Sequence, residues 1–198
     1  MPFDSTRLEQ QISFIETLDT LKQVFRQNFV MDGTRRENSS EHSWHTALMA
    51  VVLAEYAADP IDLPRVVTML LLHDVIEIDA GDTFCYDTEA NKDKTVRELA
   101  AAERIFGLLP PDIGTDLRGL WDEFEAGQTP EARFANSLDR FQVLFQNRNT
   151  QGGTWRIHDI ARSQVDKRMA PIRDTMPELW PTVTGILDDA CAQGILRP

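Results

Sequence analysis

Residues 65–78 read RVVTMLLLHDVIEI. The stretch is apolar almost all round, as expected of a helix buried at the centre of a bundle. Pro64 suits its first turn. The run Met69, Leu70, Leu71, Leu72 then leads directly into His73 and Asp74. A bare carboxylate beside such a run is costly to bury unless it is paired or binds a cation. Glu77 follows Asp74 by three and His73 by four, which puts all three on one helical face. The stretch therefore predicts both a central helix and a polar centre at its end.

Working outward, helical periodicity recurs nearly everywhere. Ile12, Ile15, Leu18, Leu21 and Phe25 predict a first helix over about 5–28. The polar MDGTRREN reads as a loop. Ser39 or Ser40 can cap a second helix through EHSWHTALMAVVLAEYA, closed by Asp59-Pro60. Further helices are expected over 92–109, 112–127, 130–147, 159–172 and 177–193. No β-alternation of any length, internal repeat or low-complexity tract is visible. The expectation is an all-α bundle of about seven to nine helices, one domain over 1–198 with its core at about 10–185.

The formal net charge of -12 argues against nucleic acid, whose binding needs a basic surface, and against an anionic membrane surface. A small phosphate ester needs only a local positive site. Cys85 and Cys191 are too few for a disulfide framework in 198 residues. The N-terminus lacks a secretory pattern, and no apolar run nears the roughly 20 residues of a membrane span. A cytoplasmic location is expected.

His42 repeats the setting of His73: a polar loop, then Glu41-His42, then an apolar face. Asp139 is embedded in ANSLDRFQVLF. Two imidazoles and two carboxylates make a mixed set suited to one divalent transition ion, Mn, Co, Fe, Ni or Zn, more than to Mg or Ca. Positions would be left for water and substrate.

The segments RENSSEH, LLLHDVIEIDAGD and NSLDRF, in that order, resemble the HD-domain metal-dependent phosphohydrolases, in particular the 5′-deoxynucleotidase-like branch. The resemblance covers about residues 10–185. It implies His42, His73, Asp74 and Asp139 as metal ligands. It implies Glu77 and Asp82 as catalytic residues acting on water and substrate, and a (deoxy)ribonucleoside 5′-monophosphate as substrate. Arg35 matches an arginine of the family's loop, so Arg35 and Arg36 are candidate phosphate contacts. An upstream Arg-Trp pair that binds nucleotide in the family falls, by count from His42, on Gln27 and Asn28. His45, three past His42, is a candidate substrate contact or a support for the ligands. Apolar helix faces, with the family resemblance, imply a homodimer.

Other readings have less behind them. A dinuclear HD oxygenase or phosphodiesterase needs more histidines than His42, His45, His73 and His158 provide. A non-catalytic metal- or nucleotide-binding module has no use for Glu77 and Asp82. The second His-Asp pair, His158-Asp159, reads as a helix start with Asp159 as its cap. Lys92 and Lys94 read as solvated, and the four tryptophans as core.

Overall fold

The computed structural model describes residues 5–198, and 70% of it is helical. Helix α1 (Ser5–Leu18) passes through a 3-10 turn at Asp19–Gln23 into strand β1 (Phe25–Phe29). Strand β2 (Arg36–Asn38) pairs with it antiparallel. The expected helix over 5–28 thus ends early. Its apolar period misled because β1 inverts the usual pattern: Phe25 is exposed, whereas Asn28 is buried and donates to Gln146 Oε1 at 2.9 Å. The intervening turn uses Gly33 at φ 73, a conformation glycine adopts without a Cβ penalty.

Helix α2 (Ser39–Leu53) follows β2 directly. Its cap is Asn38, not Ser39 or Ser40. The Asn38 side chain accepts from Glu41 N at 3.0 Å, and the Glu41 carboxylate accepts from Asn38 N at 3.3 Å. This reciprocal pair satisfies two backbone donors and sets where the helix begins. It therefore also sets the position of His42 on the first turn.

Helix α3 (Leu63–Leu72) is the central one. Asp62 caps it through Arg65 N at 3.2 Å. Met69 and Leu70 join a large apolar cluster, while Leu72, Val75 and Ile76 join a second one. α3 stops one residue short of the His-Asp pair. A tight turn over 73–76 precedes the four-residue α4 (Glu77–Ala80), which ends at Gly81 with φ 73. Trp121 Nε1 donates to His73 O at 3.2 Å and ties the end of α3 to the next layer.

The remaining helices are α5 (Lys94–Phe106), α6 (Pro111–Ala126), α7 (Pro130–Asn149), α8 (Gly153–Ile157), α9 (Arg162–Thr175) and α10 (Trp180–Ala192). α7 lies against α3, α6 and α9 and buries Phe134, Leu138 and Leu144 completely or nearly so. Of the tryptophans, Trp121 and Trp155 are core, but Trp44 is 61% exposed on α2, contrary to expectation. Asp159 is no cap: α9 begins at Arg162, and Asp159 sits at φ 50, ion-paired with Arg197 at 3.1 Å. No helix among the described residues is long and apolar enough to cross a membrane.

Candidate active site

The central turn after α3, the first turn of α2 and the middle of α7 meet at one point. His42 Nε2 lies 3.0 Å from Asp139 Oδ1, and His73 Nε2 lies 3.2 Å from Asp74 Oδ1. The two imidazole rings stand 5.3 Å apart. One ligand atom from each of His42, His73 and Asp139 falls within 4.8 Å of the others.

The tautomers follow from the partners on the far side of each ring. His73 Nδ1 donates to Leu70 O at 2.8 Å, leaving Nε2 with its lone pair. That nitrogen is buried with no hydrogen bond, facing the Asp74 carboxylate. His42 Nδ1 donates to Gln142 Oε1 at 3.2 Å, so its Nε2 faces Asp139. Imidazole nitrogens and carboxylate oxygens turned toward each other in a buried space suit a shared cation. The residues present fit a divalent metal.

Behind His42, Gln142 Nε2 donates to Glu37 Oε1 at 2.7 Å and lies 3.3 Å from His45 Nδ1. His45 thus reaches the ligands through Gln142, not through the cavity. Gln142→Leu removes the acceptor that orients His42. It should weaken metal affinity about 10–100-fold, the usual effect of losing such a support; titration against a metal buffer measures it.

The electrostatics are strongly perturbed. Burial and the Arg26 charge oppose protonation of His42, yet hydrogen bonds to Asp139 and Glu37 prevail and lift it to about 9. Burial lowers His73, against the pull of Asp74. Asp139 is held well below the carboxylate range although burial opposes this, chiefly by its hydrogen bond to His42 and then by the His42 and Arg168 charges. Burial, then Asp74, raises Glu77 well above the ordinary range.

Asp74, Asp139, Glu77 and Asp82 line a cavity of about 190 Å³. Glu77 is 8% exposed, and its Oε2 accepts from Ser39 Oγ at 2.6 Å, which leaves Oε1 free. Asp82 sits just past Gly81 and accepts from Gln27 N at 3.2 Å through Oδ2. Its loop is fastened by Arg97, which donates to Thr83 Oγ1 and Ala90 O, each at 3.1 Å.

Sequence reasoning missed Arg26. Counting from His42 pointed to Gln27 and Asn28, which do line the cavity, but the guanidinium there comes from Arg26 beside them on β1. Its Nη1 donates to Asp74 Oδ2 at 2.6 Å, and its Nη2 lies 3.8 Å from Asp139 Oδ1. Burial works against its charge, and Asp74, Glu77, Asp82 and Asp139 outweigh that. Gln142 and Glu37 were missed too, although Gln142 stands three past Asp139 on the same helix face. Arg35 and Arg36 lie elsewhere. Arg35 makes a double hydrogen bond to Glu41, with the side chain 52% exposed. Arg36 donates to Gln27 Oε1 at 2.6 Å. Neither lines the cavity. Lys94, expected to be solvated, is half-buried on the cavity wall and paired with Glu98 at 3.3 Å.

A sequence model of the family described as HD domain matches residues 18–180. The chain belongs to the HD-domain family. Among HD-domain relatives, the human 5′-deoxynucleotidase HDDC2 is 32% identical over 136 residues, 68% of this chain and 65% of that protein. The fission yeast 5′-deoxynucleotidase hdd1 is 24% identical over 141 residues, 68% of this chain and 69% of that protein. The chain therefore spans about two thirds of these relatives' length. A crystal structure from Magnetospirillum magnetotacticum MS-1, of a predicted metal-dependent phosphohydrolase, superposes with a TM-score of 0.92 at 47% identity. The match covers 98% of this chain and all of that one. An HD-domain phosphohydrolase from Listeria innocua, at 15% identity and a TM-score of 0.63, shares the fold.

His158, of the second His-Asp pair, stacks on Phe84 with centroids 4.3 Å apart and lies outside the ligand cluster. His158→Ala should leave metal content unchanged; elemental analysis equal to that of a His73→Ala protein would reverse the assignment of the two pairs.

Proposed function

We propose that this HD-domain protein hydrolyses a phosphomonoester, a (deoxy)ribonucleoside 5′-monophosphate, with one transition ion (Mn, Co, Fe, Ni or Zn) held by His42, His73, Asp74 and Asp139. The observation that carries this is Glu77: a buried carboxylate, fixed at one oxygen by Ser39, with its other oxygen beside the ligands in the same cavity. A structural metal site has no use for such a group.

When bound, the ion supplies Lewis-acid polarisation of a phosphoryl oxygen and acidifies a water. Glu77 Oε1 takes the proton of the attacking water. Ser39 prevents the carboxylate from turning away. Arg26, gripped by Asp74, presents its remaining N–H groups to the phosphoryl group, a geometry suited to paired oxygens. Asp82 lines the same cavity and would act on the leaving oxygen or position a sugar hydroxyl.

A second cavity, lined by Phe84, Tyr86, Asp87 and His158, shares Gln27, Phe84 and Tyr86 with the first. Aromatic faces next to a phosphate site suit a planar base, which favours a nucleotide over a bare sugar phosphate. The 5′-deoxynucleotidase names of the relatives agree with this reading.

The decisive experiment is phosphate release from a panel of nucleoside monophosphates and sugar phosphates, with each divalent metal supplied in turn. The reading requires turnover of 5′-monophosphates above that of sugar phosphates; no release with any metal would defeat it. The cytoplasm is the proposed compartment. A homodimer is the proposed assembly, and an apolar stripe of Trp44, Leu48, Val51 and Val52 exposed along α2 supports it. Light scattering of the purified chain gives its mass directly.

A further inference from the structure

Eight ionisable side chains line the metal cavity apart from Cys85 and Tyr86. Four are carboxylates and four are cations, Arg26, Lys94, Arg140 and Arg168. The cations are not equally neutralised. Arg26 is bound to Asp74 at 2.6 Å, and Lys94 is paired with Glu98 at 3.3 Å. Among the described residues, Arg168 Nη2 is paired with Asp139 Oδ2, at the longer distance of 3.5 Å. Arg140, next to Asp139 in the chain, has its Nε buried with no hydrogen bond.

Arg140 and Arg168 thus line the same cavity as Asp139, and Arg168 is ion-paired with it. Asp139 is also a proposed metal ligand, already engaged through Oδ1 with His42. A divalent ion on Asp139 draws on the charge that otherwise serves the arginines. Like charges in a partly buried setting then call for an anion. Arg26 and Arg168 flank Asp139 from its two oxygens, at 3.8 Å and 3.5 Å. Each oxygen of Asp139 therefore has a guanidinium beside it, and an oxyanion drawn to this end of the cavity would meet both.

We propose that Arg168, with Arg140 beside it, is the second phosphate-binding arm of this site, facing Arg26 across the metal centre. This rests on the phosphomonoester reading above. It gives α9 a part in substrate binding, and it assigns to Arg140 and Arg168 the role that sequence reasoning gave to Arg35 and Arg36. The ligand is a phosphoryl dianion, either that of the substrate or the inorganic phosphate released.

The test uses the metal-loaded full chain and inorganic phosphate as the probe, with affinity read by calorimetry and metal content measured alongside. Arg168→Gln keeps size and hydrogen-bonding capacity but removes the charge. It should retain metal and bind phosphate about 10–100-fold more weakly, the worth of one charge-assisted hydrogen bond. Arg140→Gln should weaken binding in the same direction, and Arg168→Lys should restore part of it. Lys92→Gln removes one exposed surface charge and serves as the control, with unchanged affinity. Unchanged phosphate affinity in Arg168→Gln overturns the proposal. So does loss of metal from that variant, because Arg168 would then support Asp139 instead of the ligand. An equal loss in Lys92→Gln overturns it as well, since the effect would be general charge. If the unaltered protein hydrolyses monophosphates while Arg168→Gln binds phosphate normally, only this inference fails. If the unaltered protein neither binds phosphate nor releases it, the parent reading fails.

Discussion

Glu77→Gln is expected to keep its metal and to lose turnover by about 10²–10⁴-fold, the usual contribution of a positioned proton acceptor. As a barrier that is roughly 3–5 kcal/mol. The substitution preserves volume, and the Ser39 hydroxyl that now donates to Oε2 can still donate to the amide oxygen. Removal of the base is thereby separated from disruption of the pocket. KM should move little, because Arg26 and the metal ligands are untouched. Single-turnover kinetics with metal analysis on the same sample reads both quantities. Metal loss would make Glu77 a ligand. Full turnover with metal retained would pass the role of acceptor to Asp82.

Asp74 is the site of the second large effect, because it has two partners. Oδ1 faces His73 Nε2 at 3.2 Å and Oδ2 accepts from Arg26 at 2.6 Å. As a ligand it holds the ion; as an anchor it holds Arg26. Asp74→Asn keeps the shape and a neutral oxygen. It is expected to leave the protein with little metal after dialysis and with no measurable turnover. Asp74→Ala should do the same and also cost stability, since a buried Arg26 then loses its closest counter-ion, a loss of about 3–5 kcal/mol. Elemental analysis and chemical denaturation of the two variants separate the roles. Normal metal content with weakened phosphate binding would reduce Asp74 to the anchor of Arg26.

Both effects concern residues that announce themselves in RVVTMLLLHDVIEI. A carboxylate and an imidazole set directly after Leu70, Leu71 and Leu72 are costly without a cation, so this segment carries its own evidence. Spacing of three and four then brings Glu77 to the same side. His42 and Asp139 were legible for the same reason: each interrupts an apolar helix face. The helical class was legible from periodicity over most of the chain.

Arg26, Glu37, Gln142 and Arg168 were not legible in this way. Each is a polar residue on a helix or strand that would read as solvated, because its partner lies far along the chain. Arg26 meets Asp74 48 residues away, and Gln142 meets Glu37 105 residues away. The strand β1 itself has the same origin. Its buried position is Asn28, which is stable there only because Gln146 accepts its hydrogen bond across 118 residues. Local sequence records the cost of burying a group, and that cost singled out the proposed metal ligands. The compensation comes from contacts between distant segments, so which arginine enters the cavity, and which glutamine hydrogen-bonds the histidine, is decided where α7, α9 and the β1–β2 hairpin meet the end of α3.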